Sequence, residues 1–139
     1  MFSKTNLIST LVTGLWAFFG GYLLWGIIGE LMLADHMMPG LMKDPSDFLH
    51  LALGCLIMAF AFSVIYSNWA RGAHGISQGI QFGVWLGILK GLGSGLIDYA
   101  TGNMADLTGT LGNAVIYIVF FAIMGALASL IYSKVKSAE

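Results

Sequence analysis

The sequence predicts an all-α polytopic membrane protein, with four transmembrane helices in a bundle and both termini cytoplasmic. Three observations carry that expectation. The chain is 58% hydrophobic and 9% charged over 139 residues, whereas soluble domains carry about a quarter charged residues. Four windows stay largely apolar over the roughly 20 residues that a bilayer crossing needs. Lysine and arginine concentrate at alternate ends of those windows.

The first span covers about 7–33 and holds Glu30 near its end. Lys4 precedes it, but the apolar run from Leu7 to Leu33 is far longer than the roughly 7–15 residues of a signal-peptide core. It is therefore expected to remain as a membrane helix. Pro39-Gly40 and Pro45 then break the chain. The second span, about 48–69, opens with His50, and either Ser46 or Asp47 can cap it. Arg71-Gly72 begins a tight turn into the third span, about 76–97, which contains Lys90. Thr101-Gly102-Asn103 forms another turn, and Asp106 can cap the fourth span, about 107–132.

Helices are required because lipid offers backbone N–H and C=O groups no other partner. Runs this continuous do not alternate as barrel strands do. Residues 1–139 read as one transmembrane domain with no linker.

Orientation follows the basic residues. Lys4, Arg71, Lys134 and Lys136 fall on one side of four crossings, against Lys43 alone on the other. That bias places both termini in the cytoplasm. Tyr66, Trp69 and Tyr132 are expected at the inner interface, and Tyr99 at the outer one.

The third span carries a repeat: Gly75, Gly79, Gly83, Gly87, Gly91 and Gly95 recur every four residues. Small residues at this spacing let membrane helices approach closely. A four-residue step drifts by about 40° on an α-helix, so the lower and upper glycines are expected to meet different neighbours. Ala17 with Gly21, Ala59 with Ser63, and Gly125 with Ser129 supply small-residue counterparts. The ladder serves either packing within the four-helix bundle or an oligomer seam. The third helix is expected to organise the packing, and the fourth is the plainest.

Ionisable residues inside a span are costly and mark function or neutralising pairs. Glu30, Asp47, His50, Lys90, Ser94 and Asp98 are expected to converge in the outer half of the membrane. Lys90, Ser94 and Asp98 continue the stripe of the lower glycines. The cluster is read either as a structural ion pair, Glu30 with Lys90, or as a vestibule for an ion or small polar solute.

His36, His50, Glu30 and Asp47 are suitable metal-ligand types, but no His-x3-His or Cys-x2-Cys spacing organises them, and no metal or cofactor is expected. Cys55 is the one cysteine and cannot form an intrachain disulfide. A net charge of −1 argues against nucleic acid as a partner. The sequence holds no nucleophile–base pair and no phosphate loop, so an enzyme is the least supported class.

Phe19-Gly20-Gly21-Tyr22 with Trp25-Gly26, and Gly83-Val84-Trp85-Leu86-Gly87, resemble stretches of small bacterial four-helix integral membrane proteins of uncharacterised function. That resemblance implies the same architecture and a bacterial plasma membrane, and transfers no site residues. Two functions follow as expectations. The first is a structural or interaction subunit, in a homo-oligomer or with other membrane subunits, held by glycine-mediated packing in the lipid bilayer. The second is a small transporter or channel using the outer polar cluster.

Overall fold

The computed structural model describes residues 3–36, 47–103 and 105–138, with the side chains of 136–138 excepted. Pro39, Gly40, Lys43, Asp44, Pro45 and Ser46, with the loop reading made on them, lie outside the described residues. Four helices account for nearly all the rest: α1 (Lys4–His36), α2 (Phe48–Ala70), α3 (Ile76–Thr101) and α4 (Leu107–Ala138). Each is long and apolar enough to cross a bilayer, which marks the chain as an integral membrane protein. No strand occurs among the described residues.

The caps follow local chemistry. The Asp47 carboxylate accepts from the His50 N–H at 3.2 Å and starts α2. Asp106 Oδ1 accepts from the Gly109 N–H at 2.7 Å and starts α4. α2 ends where Arg71 turns left-handed, at φ 50°, followed by Gly72 at φ 87°. α1 begins three residues earlier than hydropathy suggests, because the Ser3 hydroxyl accepts from the Asn6 N–H at 3.1 Å.

Neighbouring helices run in opposite directions. Asn6 at the start of α1 meets Tyr132 near the end of α4, and Ser9 meets Ser63 near the end of α2. One end of the molecule therefore carries Lys4, Arg71 and Lys134, and is called the basic end here. The other, the acidic end, carries Glu30, Asp35, Asp47, Asp98 and Asp106.

α4 is the hub: α3 packs along its length, α1 packs on a second face, and α2 touches it between them. The plainest helix by sequence is thus the one that all others share. The reason is complementarity, since a row of glycines forms a groove and the packing needs a ridge to fill it. A Cβ placed on Gly79 would strike the Gly125 carbonyl, and one on Gly83 the Phe121 carbonyl. At Gly87 it would sit 2.5 Å from Ile118 Cα, and at Gly91 2.9 Å from Ala114 Cα. Only glycine permits that approach, and Gly125 returns it from the α4 side.

The ladder was expected to divide between two neighbours. Instead Gly79, Gly83, Gly87 and Gly91 all face α4, and Gly95 stands 3.6 Å by its would-be Cβ from Thr110 of the same helix. The backbone supplies the cause. Ile88–Ser94 is wound as a π-helix. A π turn takes about 4.4 residues, so a four-residue step falls about 30° short of a full turn. Each α-helical four-residue step between Gly79 and Gly87 overshoots by about 40°. The two drifts cancel and the upper glycines swing back onto α4. Gly75 stands outside the ladder, in the turn, with its N–H donating to Gln78 Oε1 at 3.0 Å.

The core is aromatic and lies among α2, α3 and α4. Phe62 packs edge-on to Phe82 at 5.1 Å and stacks with Phe121 at 6.0 Å. Tyr66 and Tyr132 belong to this core, at 0% and 4% exposure, near the basic end. Their hydroxyls find partners inside the protein, which removes the need for headgroup water. Trp69 and Tyr99 are exposed at the basic and acidic ends. The outward surface of all four helices is Leu, Ile, Val, Phe and Trp, as contact with lipid requires.

Candidate functional site

At the acidic end the sequence-predicted groups stay largely apart. Asp47 and His50 do meet, within one turn of α2: Nδ1 lies 2.7 Å from Asp47 Oδ2. No hydrogen bond or ion pair joins Glu30, Lys90, Ser94 or Asp98 to one another or to that pair among the described residues. Glu30, Lys90 and Asp98 are all exposed, and Ser94 is half-buried. Lys90 stands over the Tyr117 ring, with its Nζ 5.9 Å from the centroid. Tyr117 in turn packs edge-on to Trp25 at 4.7 Å, and the Trp25 indole N–H donates to Asn113 Oδ1 at 2.7 Å.

The stronger contact at this end is one that spacing did not reveal. His36, the last residue of α1, pairs through Nδ1 with Asp106 Oδ2 at 2.8 Å. The Asp106 N–H also donates to the His36 carbonyl at 3.0 Å. The carboxylate thus caps α4 and ties α1 to it. The Gly109 N–H, and then His36, hold the Asp106 carboxyl below the usual carboxylate range. His36 with Asp106 and His50 with Asp47 are two separate pairs. No group of three or more His, Cys, Asp or Glu side chains gathers around a common point among the described residues.

At the basic end lies a polar seam that hydropathy passed over. Thr5, Asn6, Ser9, Thr10 and Thr13 form one buried face of α1. Asn6 Nδ2 donates to the Tyr132 hydroxyl at 3.1 Å, and that hydroxyl donates to the Ser63 carbonyl at 3.3 Å. Ser9 and Ser63 share a hydroxyl–hydroxyl bond of 2.9 Å. Thr10 and Thr13 return their hydroxyls to the carbonyls four residues back, at 2.8 and 2.7 Å. His74, from the turn after α2, reaches the Tyr66 hydroxyl at 3.2 Å and packs on Tyr132 at 5.1 Å. Buried Asn6 Oδ1 has no hydrogen-bond partner among the described residues.

The signal for this seam was present in the sequence: Asn6, Ser9 or Thr10, and Thr13 follow a helical period. Chemically the seam can hold α1, α2 and α4 in register, because each polar group finds its partner across helices where lipid offers none. It consists of hydroxyls and amides, with the His74 imidazole at its edge on the Tyr66 hydroxyl. Searches against protein-family models, curated proteins and solved structures found no match to this chain.

Proposed function

We propose that this chain is a small subunit of a bacterial plasma membrane assembly, a four-helix bundle with both termini cytoplasmic, which joins further copies of itself through its intramembrane charges. The observation that carries the reading is Lys90. It lies in a membrane span, is exposed, and has no carboxylate within ion-pair distance among the described residues. A lysine so placed costs about 2.5–3.5 kcal/mol at the membrane centre unless it is paired or reaches water.

Glu30 has the complementary problem on another helix. α1 and α3 sit on different faces of α4. Asn113, Ile116 and Phe120 of α4 serve α1, while Ala114, Ile118 and Phe121 serve α3. Glu30 lies about 9 Å from its helix end and Lys90 about 16 Å from its own. The lysine stem spans much of that difference in depth. Glu30 of one copy therefore suits Lys90 of the next. The glycine ladder, which first suggested an oligomer seam, is engaged between α3 and α4, so the charges replace it as the proposed contact.

Native mass spectrometry after mild detergent extraction tests this. Assemblies larger than one 14.9 kDa chain are expected, dissociating in Lys90→Met and in Glu30→Gln and retained in the charge-swapped double variant Glu30→Lys with Lys90→Glu. A wild-type chain that runs as a monomer would end the proposal. Unchanged assembly with a Lys90-dependent ion flux in liposomes would instead favour the transport reading, which draws on the same groups.

A further inference from the structure

The turn between α2 and α3 borders an open polar cleft of about 480 Å³ at the basic end, lined by Asn68, Trp69, Ala70, Arg71, Gln78 and Gln81. We infer that this cleft binds an anionic phosphate group, presented by a lipid headgroup or by free phosphate.

The lining is rich in donors and carries no carboxylate. Arg71 offers up to five N–H groups in a planar fork that matches phosphate oxygens two at a time. Asn68 and Gln81 each add a side-chain amide. Gln78 has its Oε1 occupied by the Gly75 N–H, which leaves its amide nitrogen to donate. Every described acidic residue, Glu30, Asp35, Asp47, Asp98 and Asp106, belongs to the opposite end of the molecule. The guanidinium thus has no carboxylate partner among the described residues.

Arg71 also holds an unfavourable backbone. Its φ of 50° is a left-handed conformation that glycine adopts freely and arginine does not. Gly72 stands next to it. A chain under no demand at this position would put the glycine first, as helix C-termini commonly do. Placing arginine there brings its guanidinium to the lip of the cleft. Strain of this kind persists where a site uses it.

The surroundings suit a lipid. Trp69 is partly exposed, with its ring set against Phe82 at 5.3 Å. Ile65, one turn deeper on α2 than Asn68 and Trp69, is exposed and offers an apolar surface to an acyl chain. α2 and α3 pack little against each other, which leaves the space open.

The test uses the full chain in phosphatidylcholine nanodiscs, in two arms. One adds phosphatidylglycerol to the bilayer and the other adds inorganic phosphate to the buffer. Binding is read by native mass spectrometry as bound phosphatidylglycerol, and by thermal shift for phosphate. Arg71→Gln is expected to lower binding at least fivefold. Lys134→Gln, an equal loss of charge at the same end, is expected to leave it unchanged. Gln81→Glu, which keeps Arg71 and its turn intact, is expected to match Arg71→Gln, and guards against a folding defect in the latter. Arg71-dependent binding of phosphatidylglycerol supports a lipid headgroup as the source, and Arg71-dependent binding of phosphate alone supports a soluble anion. Binding in neither arm, or equal loss in Lys134→Gln, overturns the inference.

Discussion

Asn6 donates to the hydroxyl of Tyr132 at 3.1 Å, closing the chain across 126 positions. Both residues are buried, and the same hydroxyl reaches the Ser63 carbonyl, so one oxygen serves three helices. Tyr132→Phe is expected to reduce stability in detergent by about 0.5–1.5 kcal/mol, the range of interhelical hydrogen bonds in membranes. In a double-mutant cycle, Asn6→Leu with Tyr132→Phe should cost less than the sum of the single changes. Additive losses in denaturation followed by circular dichroism would show the pair to be uncoupled.

The glycines of α3 are expected to divide sharply from others in the chain. Gly83→Ala must move the α4 backbone at Phe121, and overpacking of this kind costs about 1–3 kcal/mol or more. A Cβ on Gly54 would meet nothing within 4 Å. Gly54→Ala should therefore be neutral or stabilising by up to about 1 kcal/mol. Thermal unfolding of the two variants side by side decides whether close approach, rather than glycine content, governs stability.

The Asp106 contact predicts sensitivity to acid. Its carboxyl titrates lower in the folded chain than in the unfolded one, so the charged form stabilises the fold. That contribution is complete above the ordinary carboxylate range near 3.9 and disappears as pH falls through the lower, folded value. Asp106→Ala should flatten the dependence of Tm on pH below about 4. It should also lower Tm at neutral pH, because α4 loses its cap and its tie to α1. An unchanged acid profile would remove Asp106 from the account.

Cys55 offers a reporter of helix separation. It is 8% exposed, within the buried core. A membrane-permeant maleimide should label it slowly in mild detergent and rapidly after sodium dodecyl sulfate, since buried thiols are inert. Gly83→Leu should raise the rate in mild detergent. Equal rates in all three conditions would mean that the core opens freely.

The spans were legible because a bilayer crossing is a statement about twenty residues at once, and no single side chain can conceal it. The caps at Asp47 and Asp106 were legible because they depend on neighbours three residues away. The cluster of Glu30, Lys90 and Asp98 was harder to read. Helical phase fixes the direction of a side chain on its own helix but not which helix stands opposite. The ladder failed for a related reason: its drift was reckoned on an ideal α-helix, and the π-turns at Ile88–Ser94 leave no mark in the pattern. The partners of Tyr66 and Tyr132 were not legible, because Asn6, Ser63 and His74 are brought together from separate segments of the chain.

The position of α4 as the shared helix has a consequence for how the protein is made. During synthesis α1 enters the membrane with Asn6, Ser9 and Thr13 on one face, and α3 enters with an open glycine groove. α2 meets Ser9 through Ser63, but Asn6 and the groove stay open until the last helix arrives. α4 completes the bundle by supplying Tyr132 to one side and the Phe121–Gly125 ridge to the other. A ribosome stalled before α4 would leave a chain that is inserted but incompletely assembled, with Asn6 and the glycine groove unpartnered and open to the quality-control proteases of the membrane.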